Sequence, residues 1–525
     1  MASAHVDTFC HDHLPPRELW PELRFELPEL QYPDQLNAAA ALLAGPADDR
    51  PCVRGSGVSF TYGELRHRAA QIAAVLVEDG LVPGNRVLLR GPNEPWLVAC
   101  WLGVLLAGGV AVATMPMLRA GELAAITALS HPTVALCHEA FADALPDLPA
   151  VRFPAELAAR CARHDGSFVP VATAAEDVAL LAFTSGTTGR PKATMHQHRD
   201  VLAVADTFGR HVVALRPDDV VSGTPPIAFT FGLGGLVVFP MRAGASTLLV
   251  ERTTPEQLAD TVAEQGVTVL FTAPTAYRAM LAAGRADRLA GLRRAVSAGE
   301  ALPASVWHAV HDATGLKIID GIGSTEMLHV FISAADDDIR PGTTGRAVPG
   351  YRAAVLDDDG RPVPDDTPGH LAVQGPTGCR YLDGDRQTTY VRDGWNLTGD
   401  TFRRDADGYF TYLARSDDMI VSAGYNISGP EVEQALLGHP DVVDVAVVGT
   451  PDEQRGAVVT AFVVLRAGAL PDAAALQAFT KAAIAPYKYP RVVTFVDALP
   501  RTSTGKLQRY VLRTTTVVPA VRGTT

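Results

Sequence analysis

Apolar positions along the chain fall into alternating helix-length and strand-length blocks. Thr61-Tyr62-Gly63-Glu64 has the spacing of a capping box, and the apolar-periodic stretch behind it predicts a helix that opens there. Val82-Pro83-Gly84 then turns into a predicted strand at Arg86 to Arg90. Farther on the pattern predicts helix over Pro255 to Gln265, strand over Val267 to Thr272 and helix over Pro274 to Ala283. Strand over Arg293 to Ser297 and helix over Pro303 to Thr314 follow. Such alternation predicts an α/β architecture with buried, largely parallel strands. Between Gly342 and Tyr412 the texture shifts to short segments broken by Gly, Pro and Asp, which predicts a small antiparallel β subdomain.

One stretch, Pro95 to Leu118, carries no charge and is long enough to span a bilayer. Gly108-Gly109 divides it into a helix-length piece and a β-branched piece, and neither flank has a Lys/Arg cluster, so a buried helix and strand are expected instead. The segment Met1 to Trp20 lacks the basic-then-apolar order of a signal peptide. Six cysteines are scattered with no C-x-x-C pair and no Cys/His cluster at zinc spacing, the usage of a reduced, cytoplasmic protein.

Charge narrows the partners. With 45 basic against 58 acidic residues the net charge is −13, which argues against nucleic acid or an anionic membrane as the main partner, so an anionic ligand must be met locally. From Lys481 to the end, however, there are eight basic residues and a single acid, Asp497. Lysine is scarce: only Lys192, Lys317, Lys481, Lys488 and Lys506 occur among the 45 basic residues, so a retained Lys marks a site that needs a compact ammonium on a flexible stem.

Two of those lysines stand in Ser/Thr/Gly loops. Phe183-Thr-Ser-Gly-Thr-Thr-Gly-Arg-Pro-Lys192 follows the predicted strand Val178 to Phe183 and offers many N–H and O–H donors on a flexible backbone, the equipment for wrapping a polyphosphate. It is not a Walker A loop, because Arg190-Pro191 separates Gly189 from Lys192, and a P-loop ATPase is disfavoured accordingly. Near the chain end, Pro500-Arg-Thr-Ser-Thr-Gly-Lys506 places a lysine where it can swing towards charge developing on an oxyanion. Between the two loops stand Gly321-Ile322-Gly323-Ser324-Thr325-Glu326, whose carboxylate suits Mg²⁺ beside phosphates, and Asn396-Leu397-Thr398-Gly399-Asp400, whose carboxylate suits ribose hydroxyls. Each string alone also describes a helix cap or a turn; four in one order form a pattern.

The ordered set TSGTTGRPK (184–192), GIGSTE (321–326), LTGD (397–400), ARSDDMIVSAGYNISGPEVE (414–433) and RTSTGK (501–506) resembles the adenylate-forming superfamily of acyl-CoA synthetases, carrier-protein adenylation domains and luciferases. The likeness runs over nearly the whole chain. DGIGSTEMLHVF, GTTGRAVPGY, GPTGCRYLDG and VRDGWNLTGD resemble in particular the aryl-CoA ligases for benzoate and 2-aminobenzoate. The resemblance implies a large multi-subdomain N-terminal α/β body, residues 1–416, with a β-barrel-like subdomain at 342–412. A small, mobile α+β C-terminal domain, 418–525, would be hinged at Asp417.

It further implies chemistry in two steps, in which an aryl carboxylate attacks the α-phosphorus of ATP and a thiol then displaces AMP. Thr184, Ser185, Gly186, Thr187, Thr188, Gly189 and Lys192 would cradle the phosphates and Ser324 and Thr325 would face the nucleotide. Glu326 would bind Mg²⁺, Asp400 the ribose with Arg415 beside it, and Lys506 would bridge carboxylate and phosphate. The acid pocket would be lined by Phe229, Thr230, Phe231, Gly323, His329 and Val330, with Gly323 permitting close approach of a flat ring. A thiol tunnel would pass Phe229, Gly424 and Tyr425, and the basic tail would travel with the domain that meets a phosphate-bearing thiol. CoA is the expected acceptor, a phosphopantetheine carrier protein the alternative, and a homodimer stays open. Ile322 and Val421 depart from the aromatic residue and the lysine that many members carry there.

Overall fold

The computed structural model describes residues 2–185, 191–382, 384–416, 418–422, 425–452, 455–501 and 507–514. Its first helix of length, Tyr62–Glu78, opens on the expected capping box: the Thr61 amide donates to Glu64 Oε2 at 2.8 Å and the Glu64 amide to Thr61 Oγ1 at 3.2 Å. The uncharged run resolves into the 12-residue helix Pro95–Leu106 and the strand Val110–Thr114, with Gly108 at a φ of +73° between them. Every residue of that helix is buried. A Cβ on Gly103 would lie 2.7 Å from Ile72 Cγ2, so the glycine lets this helix close on Tyr62–Glu78. Among the described residues no helix is long and apolar enough to cross a membrane.

Two large sheets form the body. In a six-stranded sheet, Ala150–Phe153, Val134–His138, Arg86–Arg90, Val110–Thr114 and Val178–Ser185 run parallel, and Pro191–Gln197 is added antiparallel at the edge. A nine-stranded sheet has Ile318–Gly323, Arg294–Ala298, Val269–Thr272, Val220–Gly223, Ser246–Leu249 and Pro51–Gly55 in parallel, with antiparallel strands at both edges. The expected helices stand at Pro255–Glu264, Pro274–Ala282 and Ala304–Thr314. The strand expected from Val267 begins at Val269: the turn ends at Gly266, φ +65°, and Val267 and Thr268 lead from it into the ladder, whose pairing starts at Val269. Two π-helical segments, Ala205–Val213 and Gly234–Val238, have no counterpart in the apolar pattern.

The expected small β unit is a five-stranded antiparallel sheet built on Arg352–Leu356, Gly369–Gln374, Trp395–Arg404 and Phe410–Arg415. Beyond it, the hairpin Ile420–Ser422 and Tyr425–Ile427 leads to a three-stranded sheet with the helices Gly429–Leu437 and Ala473–Ala483. That α+β region closes on its own apolar cluster, which includes Val432, Leu436, Val447 and Val463. It meets the body through ions: Arg501 donates to Glu300 at 2.9 Å and to Asp444 at 3.0 Å, and Arg278 lies 3.4 Å from Asp444.

Candidate active site

Lys192 is set by a hairpin. Strands Val178–Ser185 and Pro191–Gln197 pair so that Thr184 stands opposite Lys192, while Gly186, Thr187, Thr188 and Gly189 lie outside the described residues. Lys192 Nζ is buried without a hydrogen-bond partner among the described residues. Burial lowers its pKa, Arg386 lowers it further, and the Glu326 carboxylate works the other way. An ammonium so placed wants an anion.

Glu326 sits on the turn between the strands Ile318–Gly323 and Val330–Ser333. Its Oε1 accepts from the Tyr381 hydroxyl at 2.7 Å. A Cβ on Gly323 would fall 2.5 Å from the His329 carbonyl oxygen and 2.8 Å from the Val330 amide. The missing side chain is therefore demanded by the hairpin's own backbone, a different reason from the flat ring expected of this glycine. Asp400 and Arg415 face each other across two antiparallel strands, and Arg415 Nη1 donates to Asp400 Oδ1 at 3.0 Å and to the Thr398 carbonyl at 3.2 Å. The carboxylate is thus already oriented by a cation on one side.

The residues expected to line an acid pocket stand against a cluster of aromatic rings. Phe229 precedes the short helix Thr230–Leu233, and Phe231 stands 5.6 Å, ring to ring, from His329. Three rings that the motifs did not single out complete it: Phe208 and Phe239 lie 5.4 and 4.5 Å from the imidazole, and Phe271 lies 5.7 Å from Phe231. The two π-helical segments supply Phe208 and the turn before Phe239. A Cβ on Gly234 would meet His329 Cδ2 at 2.3 Å and one on Gly235 would meet Phe271 Cδ1 at 2.7 Å, so these glycines admit the box. Burial among rings lowers the His329 pKa to about 3 and keeps the imidazole neutral. Nε2 lies 3.4 Å from the Phe231 carbonyl, and Nδ1 is buried with no partner among the described residues.

These residues share one cleft of about 1560 Å³, larger than the roughly 300–1,000 Å³ of a single small-molecule pocket. Thr184, Lys192, Phe229, Thr230, Phe231, Gly323, Ser324, Thr325, Glu326, His329, Val330, Asp400 and Arg415 all line it. Of the other candidates, Ser185 closes its strand and Tyr425 opens the strand Tyr425–Ile427. Asp417, Gly424 and Lys506 lie outside the described residues. Arg501 and Leu507, which flank the segment containing Lys506, pair with each other, and both line the cleft. Asp320 also lines it and was not singled out from the sequence. Its Oδ1 is buried without a partner, and burial pushes the carboxyl up to about 7. The signal for it was a carboxylate at the C-terminal end of a buried parallel strand, directly before Gly321.

Comparison with known proteins places this geometry. A family model described as AMP-binding enzyme matches residues 41–380, and one described as the AMP-binding enzyme C-terminal domain matches 431–506. Benzoate–CoA ligase of Thauera aromatica is 35% identical over 516 residues, which cover 93% of this chain and 97% of that protein. 4-Hydroxybenzoate–CoA/benzoate–CoA ligase of Rhodopseudomonas palustris is 37% identical over 489 residues, covering 87% and 89%. Among solved structures, the anthranilate CoA ligase AuaEII in complex with anthranoyl-AMP superposes with a TM-score of 0.88 at 32% identity, covering 93% of this chain and 98% of that one.

Proposed function

The chain belongs to the AMP-binding enzyme family, and from that premise we propose that it activates an aryl carboxylic acid with ATP and transfers the acyl group to coenzyme A. The observation that carries this reading is that Phe229, Phe231 and neutral His329, backed by the buried rings Phe208, Phe239 and Phe271, line the same cleft as Lys192 and Glu326. Benzoate and its 2-hydroxy and 2-amino derivatives are the substrate class. A ring would lie against the Phe229 and Phe231 side of the cleft by stacking and edge contacts, and an ortho O–H or N–H would have the unpartnered Nδ1 of His329 as its acceptor.

In the first half-reaction a carboxylate oxygen bonds to the α-phosphorus and pyrophosphate leaves. Lys192 and the loop from Thr184 hold the phosphates, Ser324 and Thr325 flank them, and Asp400, fixed by Arg415, accepts from the ribose. Asp320 presents its spare oxygen to the amine of the base. Glu326 fits Mg²⁺: it is a hard oxygen donor beside a phosphate-facing lysine. Glu326 would hold the ion without a larger set of protein ligands, since Mg²⁺ at nucleotide sites is commonly bound by one or two carboxylates. Among the described residues no cluster of three His, Cys, Asp or Glu competes for it. When bound, the ion supplies charge neutralisation on the phosphates.

Lys506 neutralises charge between carboxylate and phosphate in this step, and residues 418–525 then turn about Asp417 to bring Gly424 and Tyr425 to the tunnel past Phe229. In the second half-reaction the thiol sulfur bonds to the acyl carbon, its proton goes to solvent and AMP leaves. The separate apolar cluster of the C-terminal region supports this division of the chain. A reducing cytoplasmic setting agrees with six buried cysteines free of disulfides. A carrier protein is the alternative acceptor and a homodimer the assembly to test by sedimentation.

Acid-dependent ATP–pyrophosphate exchange across benzoate, 2-hydroxybenzoate, 2-aminobenzoate and aliphatic acids, followed by mass analysis with CoA or carrier protein, tests the reading. No exchange with any aryl acid would sink it. Lys506→Ala is expected to lower exchange by orders of magnitude and to spare thioester formation from supplied acyl adenylate. Equal loss of both halves would contradict the division of labour.

A further inference from the structure

Four successive residues around the metal-facing carboxylate are each gripped by a different side chain. Ser324 Oγ is 3.1 Å from the Tyr390 hydroxyl, the Thr325 carbonyl lies 2.8 Å from His196 Nε2, Glu326 Oε1 accepts from Tyr381 at 2.7 Å, and the Met327 carbonyl accepts from Thr377 at 2.8 Å. The next residue, Leu328, is buried with a φ of +67°, a conformation that costs a bulky side chain on the order of 1 kcal/mol and persists only where its surroundings impose it. The turn is clamped rather than relaxed.

Both hydrogen bonds nearest Glu326 come from one frame. Residues 380–382 run beside the strand Pro191–Gln197, with the Met195 amide on the Arg380 carbonyl at 2.8 Å and the Leu382 amide on Ala193 at 2.9 Å. Next to Tyr381, the Arg380 guanidinium pairs with Asp200 and donates to Gln197 Oε1 at 3.2 Å. Asp200 lies 3.9 Å from His196 Nδ1, and Arg380, Asp200 and His196 are all fully buried. An ion pair in a dry interior adds little net stability against apolar residues of the same volume, so its presence here calls for a positional reason. It ties the strand that carries Lys192 to the segment that carries Tyr381.

We propose that Tyr381 and His196 are positioning residues for Glu326, with the Tyr381 phenol occupying Oε1 so that Oε2 alone faces the cation that accompanies ATP. Tyr381 acts on the carboxylate directly, and His196 acts through the Thr325 carbonyl one peptide away. Neither touches a reacting atom. Outer hydrogen bonds of this kind commonly alter metal affinity 10- to 100-fold. The inference rests on the reading of Glu326 as the metal-facing carboxylate.

The test uses the full chain, Mn²⁺ as the probe and a non-hydrolysable ATP analogue, with free Mn²⁺ read by electron paramagnetic resonance. Tyr381→Phe removes only the hydroxyl and is expected to weaken Mn²⁺ binding in the nucleotide complex by about tenfold. In parallel, the Mg²⁺ concentration that half-saturates pyrophosphate exchange should rise, with the KM for the aryl acid and the melting temperature unchanged. His196→Gln, which keeps a donor, should bind Mn²⁺ within about twofold of the parent, whereas His196→Leu should match Tyr381→Phe. If Tyr381→Phe does not fold, the His196 pair carries the comparison. Unaltered Mn²⁺ affinity in Tyr381→Phe or in His196→Leu, or no Mn²⁺ binding by the parent complex, would overturn the proposal. The metal readout needs no aryl acid, so failure of every acid in the exchange assay would fall on the proposed reaction and leave this comparison readable.

Discussion

Asp320 offers a stability measurement whose sign changes with pH. Its ordinary value is 3.8, and burial at the end of the strand Ile318–Gly323 raises it to about 7, so the folded chain holds a proton there that the unfolded chain has released. Below about pH 4 both states are protonated and no penalty exists. Between the two values the native state loses ground at roughly 1.36 kcal/mol per pH unit, and above about pH 7 the loss is constant. An interval of roughly three units caps the penalty near ~4 kcal/mol. Asp320 is only half-buried by area, and solvent in the cleft reduces this to about 1–2 kcal/mol. Asp320→Asn abolishes the penalty and leaves an amide N–H without a partner, at a cost of about 1 kcal/mol. The variant should therefore melt below the parent near pH 4.5, draw level as the pH rises and melt at or above it by pH 8. Tryptophan fluorescence suits the assay, because Trp20, Trp96, Trp101, Trp307 and Trp395 all precede the C-terminal region and Trp307 borders the same crevice as Asp320. A difference in melting temperature that stays constant from pH 4.5 to 8 would refute the reasoning.

Glu300→Gln should weaken the ionic contact that holds Arg501 to the body; for partly exposed pairs worth about 1 kcal/mol, pyrophosphate exchange falls roughly fivefold, and thioester formation from supplied acyl adenylate is unchanged. High salt should reproduce the effect in the parent and add little in the variant; an equal loss in both half-reactions would count against it. Gly234→Ala drives a methyl into His329 Cδ2, and overpacking of about 1–3 kcal/mol should raise the KM for aryl acids tenfold or more while the KM for ATP holds. A uniform change in both constants would mean a general distortion instead.

What could be read in advance was what is local. The capping box at Thr61 and the helix and strand on either side of Gly108-Gly109 follow from spacing within a few residues, whereas Lys192, expected in a loop, stands on the strand Pro191–Gln197 opposite Thr184. The box around His329 does not, since Phe208, Phe239 and Phe271 are ordinary core phenylalanines until two π-helical segments bring the first two towards the strand Val269–Thr272 that carries the third. Tyr381 lies 55 residues from Glu326, and nothing in the string GPTGCRYLDG says that its hydroxyl finds that carboxylate. Gly323 was legible as a place of close approach, but what approaches is its own hairpin, a fact of register. Asp320 could have been seen, because an acid inside an apolar strand asks for an explanation.

The pairing at the root of the terminal segment has a consequence for how easily the two parts of the chain come apart. Arg501 holds Asp444 of its own domain and Glu300 of the body at once, and Asp444 in turn has Arg278 nearby. If the C-terminal region swings away, the ion pairs broken at this seam are those to Glu300 and Arg278, while Arg501 departs with Asp444 still beside it. Glu300 and Arg278 would give up these partners but line the open cleft, where water takes over, so parting this seam would cost only a few multiples of thermal energy.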